Sequence, residues 1–273
     1  MSRTLDLNCD MGESFGAWTM GDDAGVLAHV SSVNIACGFH AGDPDTMQRT
    51  LALALQAAVA IGAHVSLPDL QGFGRREMKI SVEEAYALTL YQIGALAGFA
   101  QAAGARLHHV KPHGALYNMA ARDAALADAI ARAIRDFDAA LLLVGLAASE
   151  LPRAGVRAGL AVVHEAFADR RYESDGSLTA RREHAAVIED IDAAVAQALA
   201  IARGDGVTTR QGTRLALRAE TICVHGDRPN AAQFARRLRD ALRDAGVSIA
   251  LPDRALCSKP HSGETVSSRN ARA

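Results

Sequence analysis

Short apolar runs alternate with helical stretches along nearly the whole chain, and this alternation restricts the fold more tightly than any single motif. Strand-like runs fall at residues 4–7, 30–35, 61–66, 107–110, 141–144, 161–163, 221–224 and 248–251. Between them apolar residues recur every three or four positions, as in Met47, Leu51, Leu55, Ala58 and Val59, or Leu126, Ile130, Ile134 and Phe137. That spacing is a helix with one buried stripe. Asp43-Pro44 reads as an N-cap followed by proline at the first helical position, and Ser81-Val82-Glu83-Glu84 as a capping box. A further helix is expected from about His184 to Arg203, with Val187, Ile188, Ile191, Val195 and Leu199 on one stripe. No repeat or low-complexity linker divides the series, so residues 1–251 read as a single parallel α/β domain. Roughly 250 residues with this alternation suit a TIM-like barrel. An open doubly wound sheet is the alternative, because both folds bury apolar strands. From Pro252 the chain turns polar and aperiodic, and residues 252–273 are expected to form a mobile tail.

Composition excludes several classes of function. The net charge is −2, which offers no basic surface for nucleic acid. No apolar run approaches the roughly 20 residues of a membrane span, and the first residues do not resemble a signal peptide. Cys9, Cys37, Cys223 and Cys257 are far apart in sequence, so neither disulfides nor a thiolate zinc site is expected. A cytoplasmic protein fits these features.

The polar residues cluster where the apolar runs stop. Asn8, Asp10 and Glu13 are expected at or just past the end of the first strand, and three later turns carry histidine: 34–43, 64–76 and 111–118. In parallel α/β folds such strand ends converge on one ligand site. Asp10, His64 and His113 follow three different strands, and a carboxylate with two imidazoles is an ordinary ligand set for a catalytic divalent metal. The competing reading is that these histidines only hydrogen-bond within their loops, since no local metal motif ties them together. His40 lies between Gly38 and Gly42, where the backbone can approach a ligand closely. Arg75 and Arg76 can hold a carboxylate or phosphate through their guanidinium forks. Lys111, directly before Pro112-His113, can stabilise an oxyanion or phosphoryl group while the histidine moves protons. No phosphate-cradling glycine motif is present. Spacing alone thus leads to a hydrolase-like pocket.

Longer motifs go further. Residues 6–13 (DLNCDMGE), 34–44 (NIACGFHAGDP), 68–76 (PDLQGFGRR) and 110–118 (VKPHGALYN), with 165–172 and 223–227, strongly resemble the LamB/YcsF family. The resemblance runs from about Leu5 to Leu251. Val65 and Leu67 depart from it, standing where the family usually has proline and an aromatic residue. The resemblance implies a distorted β/α barrel of the glycoside hydrolase/deacetylase type. It also implies the role of the A subunit in ATP-dependent 5-oxoprolinase, which opens 5-oxo-L-proline to L-glutamate with release of ADP and phosphate. Subunits B and C are the expected partners, with ATP held by this chain or by them; a homo-oligomer is also open. On this reading Asp10, Glu13, Lys111 and His113 are the catalytic candidates. Asn8, Asn34, His40, Arg75 and Arg76 are the substrate-binding candidates, and Asp10, His64 and His113 the candidate ligands of a divalent metal. Two other readings stand beside it: a metal-dependent deacetylase acting on a sugar or other small amide, and a non-catalytic ligand-binding component of a larger complex.

Overall fold

The polar residues that read as a turn near the start of the chain belong to a strand. In the computed structural model, which describes residues 3–226, 230–252 and 257, β1 spans Thr4–Met11. Leu5, Leu7, Cys9 and Met11 join the core beneath the helices, while Asp6, Asn8 and Asp10 point the other way, as the two-residue period of a strand requires. There follow α1 (Asp23–Leu27), β2 (Ser32–Ala36), α2 (Pro44–Gln56), β3 (Ala60–Val65), α3 (Val82–Ala102) and β4 (His109–Pro112). Next come α4 (Gly114–Arg122), α5 (Ala124–Asp138), β5 (Leu142–Leu146), α6 (Glu150–Arg157), β6 (Val162–Phe167) and α7 (Ile191–Arg203). The chain continues through β7 (Val207–Thr208), β8 (Arg214–Leu215), β9 (Thr221–Val224), α8 (Ala231–Asp244) and β10 (Ser248–Ile249).

Strands β1 to β6 pair in sequence order, all parallel, and β9 pairs with both β6 and β1. Thr221 stands opposite Asp6 on one side and Glu165 on the other, which closes the ring. The result is a TIM-like barrel with seven strands in place of the usual eight. β10 extends the sheet from β1, and β7 and β8 form a separate antiparallel ribbon.

The helix signals act as expected at two places. Asp43 accepts the Thr46 N–H ahead of Pro44, and Ser81 and Glu84 form a reciprocal capping box for α3. Two elements differ. Residues 114–118, expected to be part of a turn, begin α4 (Gly114–Arg122) directly after β4. Helix α7 begins at Ile191, not near His184, because Asp190 caps it through Ala193 N–H. Before the cap, Val187 bridges to Arg170 and Ile188 N–H bonds to Asp169 C=O at 2.7 Å. Val187 and Ile188 are therefore held in the loop by residues 169 and 170, Ile188 buried and Val187 half-buried, and do not extend the helix.

The barrel interior is polar on most sides. Asp6 accepts hydrogen bonds from Ser31, Ser32 and Thr221, and above it Asn8, Asn34, His109 and Glu165 are linked. Burial raises the Asp6 carboxyl above its usual range, and the three hydroxyls offset this only in part. Leu142, Val144, Ala161 and Val163 form an apolar wall on the β5–β6 side. The segment after Leu251 lies outside the described residues except for Pro252 and Cys257. Cys257 is buried against that wall, and its carbonyl accepts the Val162 N–H at 3.1 Å. No helix among the described residues is long and apolar enough to cross a membrane.

Candidate active site

Lys111 is the centre of the barrel's upper interior. Its side chain leaves β4 toward the axis, and the residue is 2% exposed. The ammonium lies 2.9 Å from Asp10 Oδ1, 2.8 Å from Glu165 Oε1, 3.1 Å from Asn8 Oδ1 and 3.2 Å from Cys223 Sγ. Burial would lower its pKa, but the Asp10 and Glu165 carboxylates outweigh that and hold it well above the usual lysine value. The same balance holds Asp10 well below the usual carboxylate range, with His64 and Lys111 overcoming desolvation. Tyr117 donates to Glu165 Oε2 at 2.7 Å, and Asn8 Nδ2 donates to Glu165 Oε1 at 2.9 Å. Cys223 stays a thiol, because burial pushes its pKa far up.

A second group sits beside this one. Glu13, His40, His64 and His113 each place a donor atom within 4.8 Å of the others, and all four are buried. His113 is the N-cap residue of α4, and its ring stacks on His40 at a 4.0 Å centroid distance. Burial is the main cause that holds both His40 and His113 well below the usual histidine value, so both are neutral. These four residues can hold a divalent cation, and they differ from the expected set. His64 and His113 are present, while Asp10 is engaged with Lys111 and reaches His64 Nε2 only at 3.3 Å.

Both groups border a cavity of about 880 Å³ lined by Asp10, His64, Lys111, His113 and His225 and also by Arg75, Arg76, Arg170, Arg181 and Arg182. The expected substrate ligands separate here. Arg75 lines the cavity with its guanidinium over the Phe73 ring at 4.7 Å. Arg76 is committed to Asp69, although its side chain is 64% exposed. Asn8, Asn34 and His40 lie behind the wall. Asn34 bonds Asn8, Asp10 and His109, so the two asparagines brace the Lys111 group. Arg170 is 5% exposed, donates to Thr179 C=O at 2.6 Å, and is pulled down to about 10 by burial and by Arg181, despite Asp169.

The third turn owes its shape to close packing. Val65 and Leu67, the two departures from the family pattern, are fully buried, and between them Ser66 is held by both ends of the Gln92 amide. Phe73 adopts φ 55°, uncommon for a bulky residue. Its carbonyl accepts the His113 Nε2–H at 2.9 Å. Gly114 must be glycine. Its φ is +56°, and a Cβ there would lie 2.5 Å from the Gly74 carbonyl oxygen, which accepts the Ala115 N–H.

The LamB/YcsF family model matches residues 5–256. The chain belongs to the LamB/YcsF family. It is 60% identical to the 5-oxoprolinase A subunit of Methylococcus capsulatus, covering 92% of this chain and 96% of that one. It is 58% identical to the 5-oxoprolinase A subunit of Bordetella pertussis, over 91% of this chain and 99% of the relative. The crystal structure of a lactam utilization protein from Thermus thermophilus superposes with a TM-score of 0.85 at 46% identity, covering 91% of this chain and all of that one.

Within this family member, sequence reasoning misses several residues of the site. Glu165 reads in sequence as the start of a loop, although a carboxylate inside the apolar run of β6 is a usable signal. Tyr117 and Cys223 carry no local signal. His225 and Asp169 form a pair across 56 residues, with His225 Nδ1 at 3.0 Å from both carboxylate oxygens. A ring nitrogen of His225 also lies within 4.8 Å of a carboxylate oxygen of Asp10.

Proposed function

We propose that the chain is the ring-opening component of an ATP-dependent 5-oxoprolinase, acting with further subunits B and C. The observation that carries this reading is the buried Lys111 ammonium, set between two carboxylates and lining a cavity that several arginines also line. The names of its relatives supply the substrate. A five-membered lactam resists hydrolysis, and transfer of a phosphoryl group from ATP to its carbonyl oxygen makes the carbon far more electrophilic. Arg75 takes the substrate carboxylate, leaving Arg76 to hold the loop. Lys111 offers positive charge to the oxygen that carries the phosphoryl group or the developing negative charge. Asp10 orients the attacking water. His225, oriented by Asp169, removes the water's proton and returns it to the ring nitrogen as the C–N bond breaks. The acyl phosphate this leaves is hydrolysed by a second water to the glutamate carboxylate and inorganic phosphate. Four cysteines that are buried and not disulfide-bonded fit a cytoplasmic setting.

The test is glutamate formation from 5-oxoproline, with and without ATP, for the chain alone and with subunits B and C. Turnover that requires ATP and all three components supports the reading. Wild-type turnover by Asp10→Ala and Lys111→Met in the assembled enzyme removes the site assignment. Silence in every mixture, with partners shown active beside a relative of this chain, removes the function.

A further inference from the structure

We propose that Glu13, His40, His64 and His113 form a mononuclear site for a zinc-class divalent cation, separate from the Asp10–Lys111–Glu165 group. Hydrogen bonding settles the protonation of two of the ligands. His64 Nδ1 lies 2.9 Å from the Lys111 carbonyl and His113 Nε2 lies 2.9 Å from the Phe73 carbonyl. A carbonyl only accepts, so each of these nitrogens carries the ring's hydrogen. The inner nitrogens, His64 Nε2 and His113 Nδ1, are then two lone pairs facing each other at 3.0 Å. In the absence of an ion, a proton shared between them, with Asp10 Oδ2 3.3 Å from His64 Nε2 to balance its charge, would settle that pair alone. It would leave His40, which is 1% exposed and has no hydrogen-bond partner for either ring nitrogen among the described residues. A cation at the centre satisfies all of these at once.

Spacing and chemistry agree with that. His40 Nε2 and His113 Nδ1 are each 3.7 Å from Glu13 Oε1. Four donors roughly 2.0–2.1 Å from one zinc ion are separated by about 3.3 Å in a tetrahedron, which falls between the observed 3.0 and 3.7 Å. Metal-binding histidines commonly donate their second N–H to a backbone carbonyl, as His64 and His113 do here. Three imidazoles with one carboxylate select zinc, cobalt or nickel over magnesium or calcium. The neighbouring cluster of Asp10, Cys223 and His225 needs no ion, because the Lys111 ammonium already stands 2.9 Å from Asp10 and 3.2 Å from Cys223. His64 and His113 line the cavity, so the site borders the substrate space. An ion bound there supplies Lewis-acid polarisation of an acyl oxygen.

The full chain, stripped with chelator, is titrated with Co²⁺ and followed by visible absorption and metal analysis. A single equivalent with d–d bands, no thiolate-to-cobalt charge transfer in the near ultraviolet, and displacement by Zn²⁺ is the expected result. His40→Ala should weaken binding by about 100-fold or more. Should that variant fail to fold by circular dichroism, Glu13→Gln is the replacement test and should weaken binding too. A charge-transfer band would put the ion on Cys223 and overturn the assignment. So would absence of binding to the wild type, or unchanged affinity in the folded variants. Occupancy is read without turnover, so its failure is distinguishable from failure of the 5-oxoprolinase reading.

Discussion

Lys111→Met removes the buried charge while keeping most of the side chain's length. In the wild type the ammonium stands 2.9 Å from Asp10 Oδ1 and 2.8 Å from Glu165 Oε1. At an effective dielectric of about 20, each pair is worth about 6 kcal/mol before desolvation is subtracted. Removing one partner of a buried ionic group typically costs about 3–5 kcal/mol, because the remaining charges are left uncompensated. The loss should therefore be about 3–5 kcal/mol near pH 7, a fall in Tm of roughly 2–4 °C per kcal/mol. Its pH dependence follows from the shifts. In the wild type the lowered Asp10 carboxyl contributes stability above the unfolded carboxyl pKa, lost as pH falls through the folded value. The raised Lys111 ammonium contributes stability below the unfolded lysine pKa, lost as pH rises through its folded value. Both contributions are in place at neutral pH. In Lys111→Met one of the two carboxyls has a raised pKa, so the deficit shrinks on acidification, by at most about 1.4 kcal/mol per pH unit. Lys111→Met/Glu165→Gln removes one of the competing carboxylates and should recover part of the loss. Urea unfolding between pH 5 and 8 reads all of this. A deficit below about 1 kcal/mol, or one constant across that range, would refute the reasoning.

Three further changes probe the supports of the site. Gly114→Ala forces a left-handed alanine at the start of α4 and a contact with the Gly74 carbonyl; thermal unfolding should show a loss of at least about 1–3 kcal/mol. Asp69→Asn weakens the bonds to Gly72 N–H, Arg76 N–H and the Arg76 guanidinium. The last of these is the chief cause of the lowered Asp69 carboxyl. Its contribution is present above the ordinary carboxyl pKa and lost as pH falls. The variant should therefore be less stable than wild type at neutral pH, only modestly so given the solvent exposure of Arg76, and show a flatter acid limb in unfolding curves from pH 3 to 7. His225→Ala and Asp169→Asn should each lower kcat of the assembled enzyme by about 10²–10⁴-fold while circular dichroism stays unchanged. A kcat near wild type in both would exclude this pair as the proton carrier.

The order of strands and helices is legible in the sequence because burial and capping act locally. Asp43-Pro44, Ser81 with Glu84, Met47 with Leu51 in α2, and Leu126, Ile130 and Ile134 in α5 each mark an element through neighbours within a turn or two. Leu55, Ala58 and Phe137 of the expected stripes are instead exposed. The strand limits near the site are less legible, and for one reason. β1 continues through Asn8 and Asp10, and β4 through Lys111, because this barrel has a polar interior, so polarity does not signal solvent. The same effect hides Glu165 inside β6. At α7 the confusion is opposite: Val187, half-buried, and Ile188, buried, belong to the loop before the helix yet continue its apolar spacing.

The sequence by itself determined the parallel α/β class, and it placed Asp10, His64, Lys111 and His113 near strand ends that converge. Only the tertiary structure decided which of them meet. Lys111 and Asp10 are 101 positions apart and Asp169 and His225 are 56 apart, so no local pattern can pair them. Closure of β9 onto β1, and a register that sets His64 beside Lys111 and Asp10 beside Asn34, put those side chains inside the ring. A shift of one residue would turn every one of them outward. Register, set by packing over the whole barrel, is what turned scattered polar residues into one lysine-centred network and a four-donor histidine cluster.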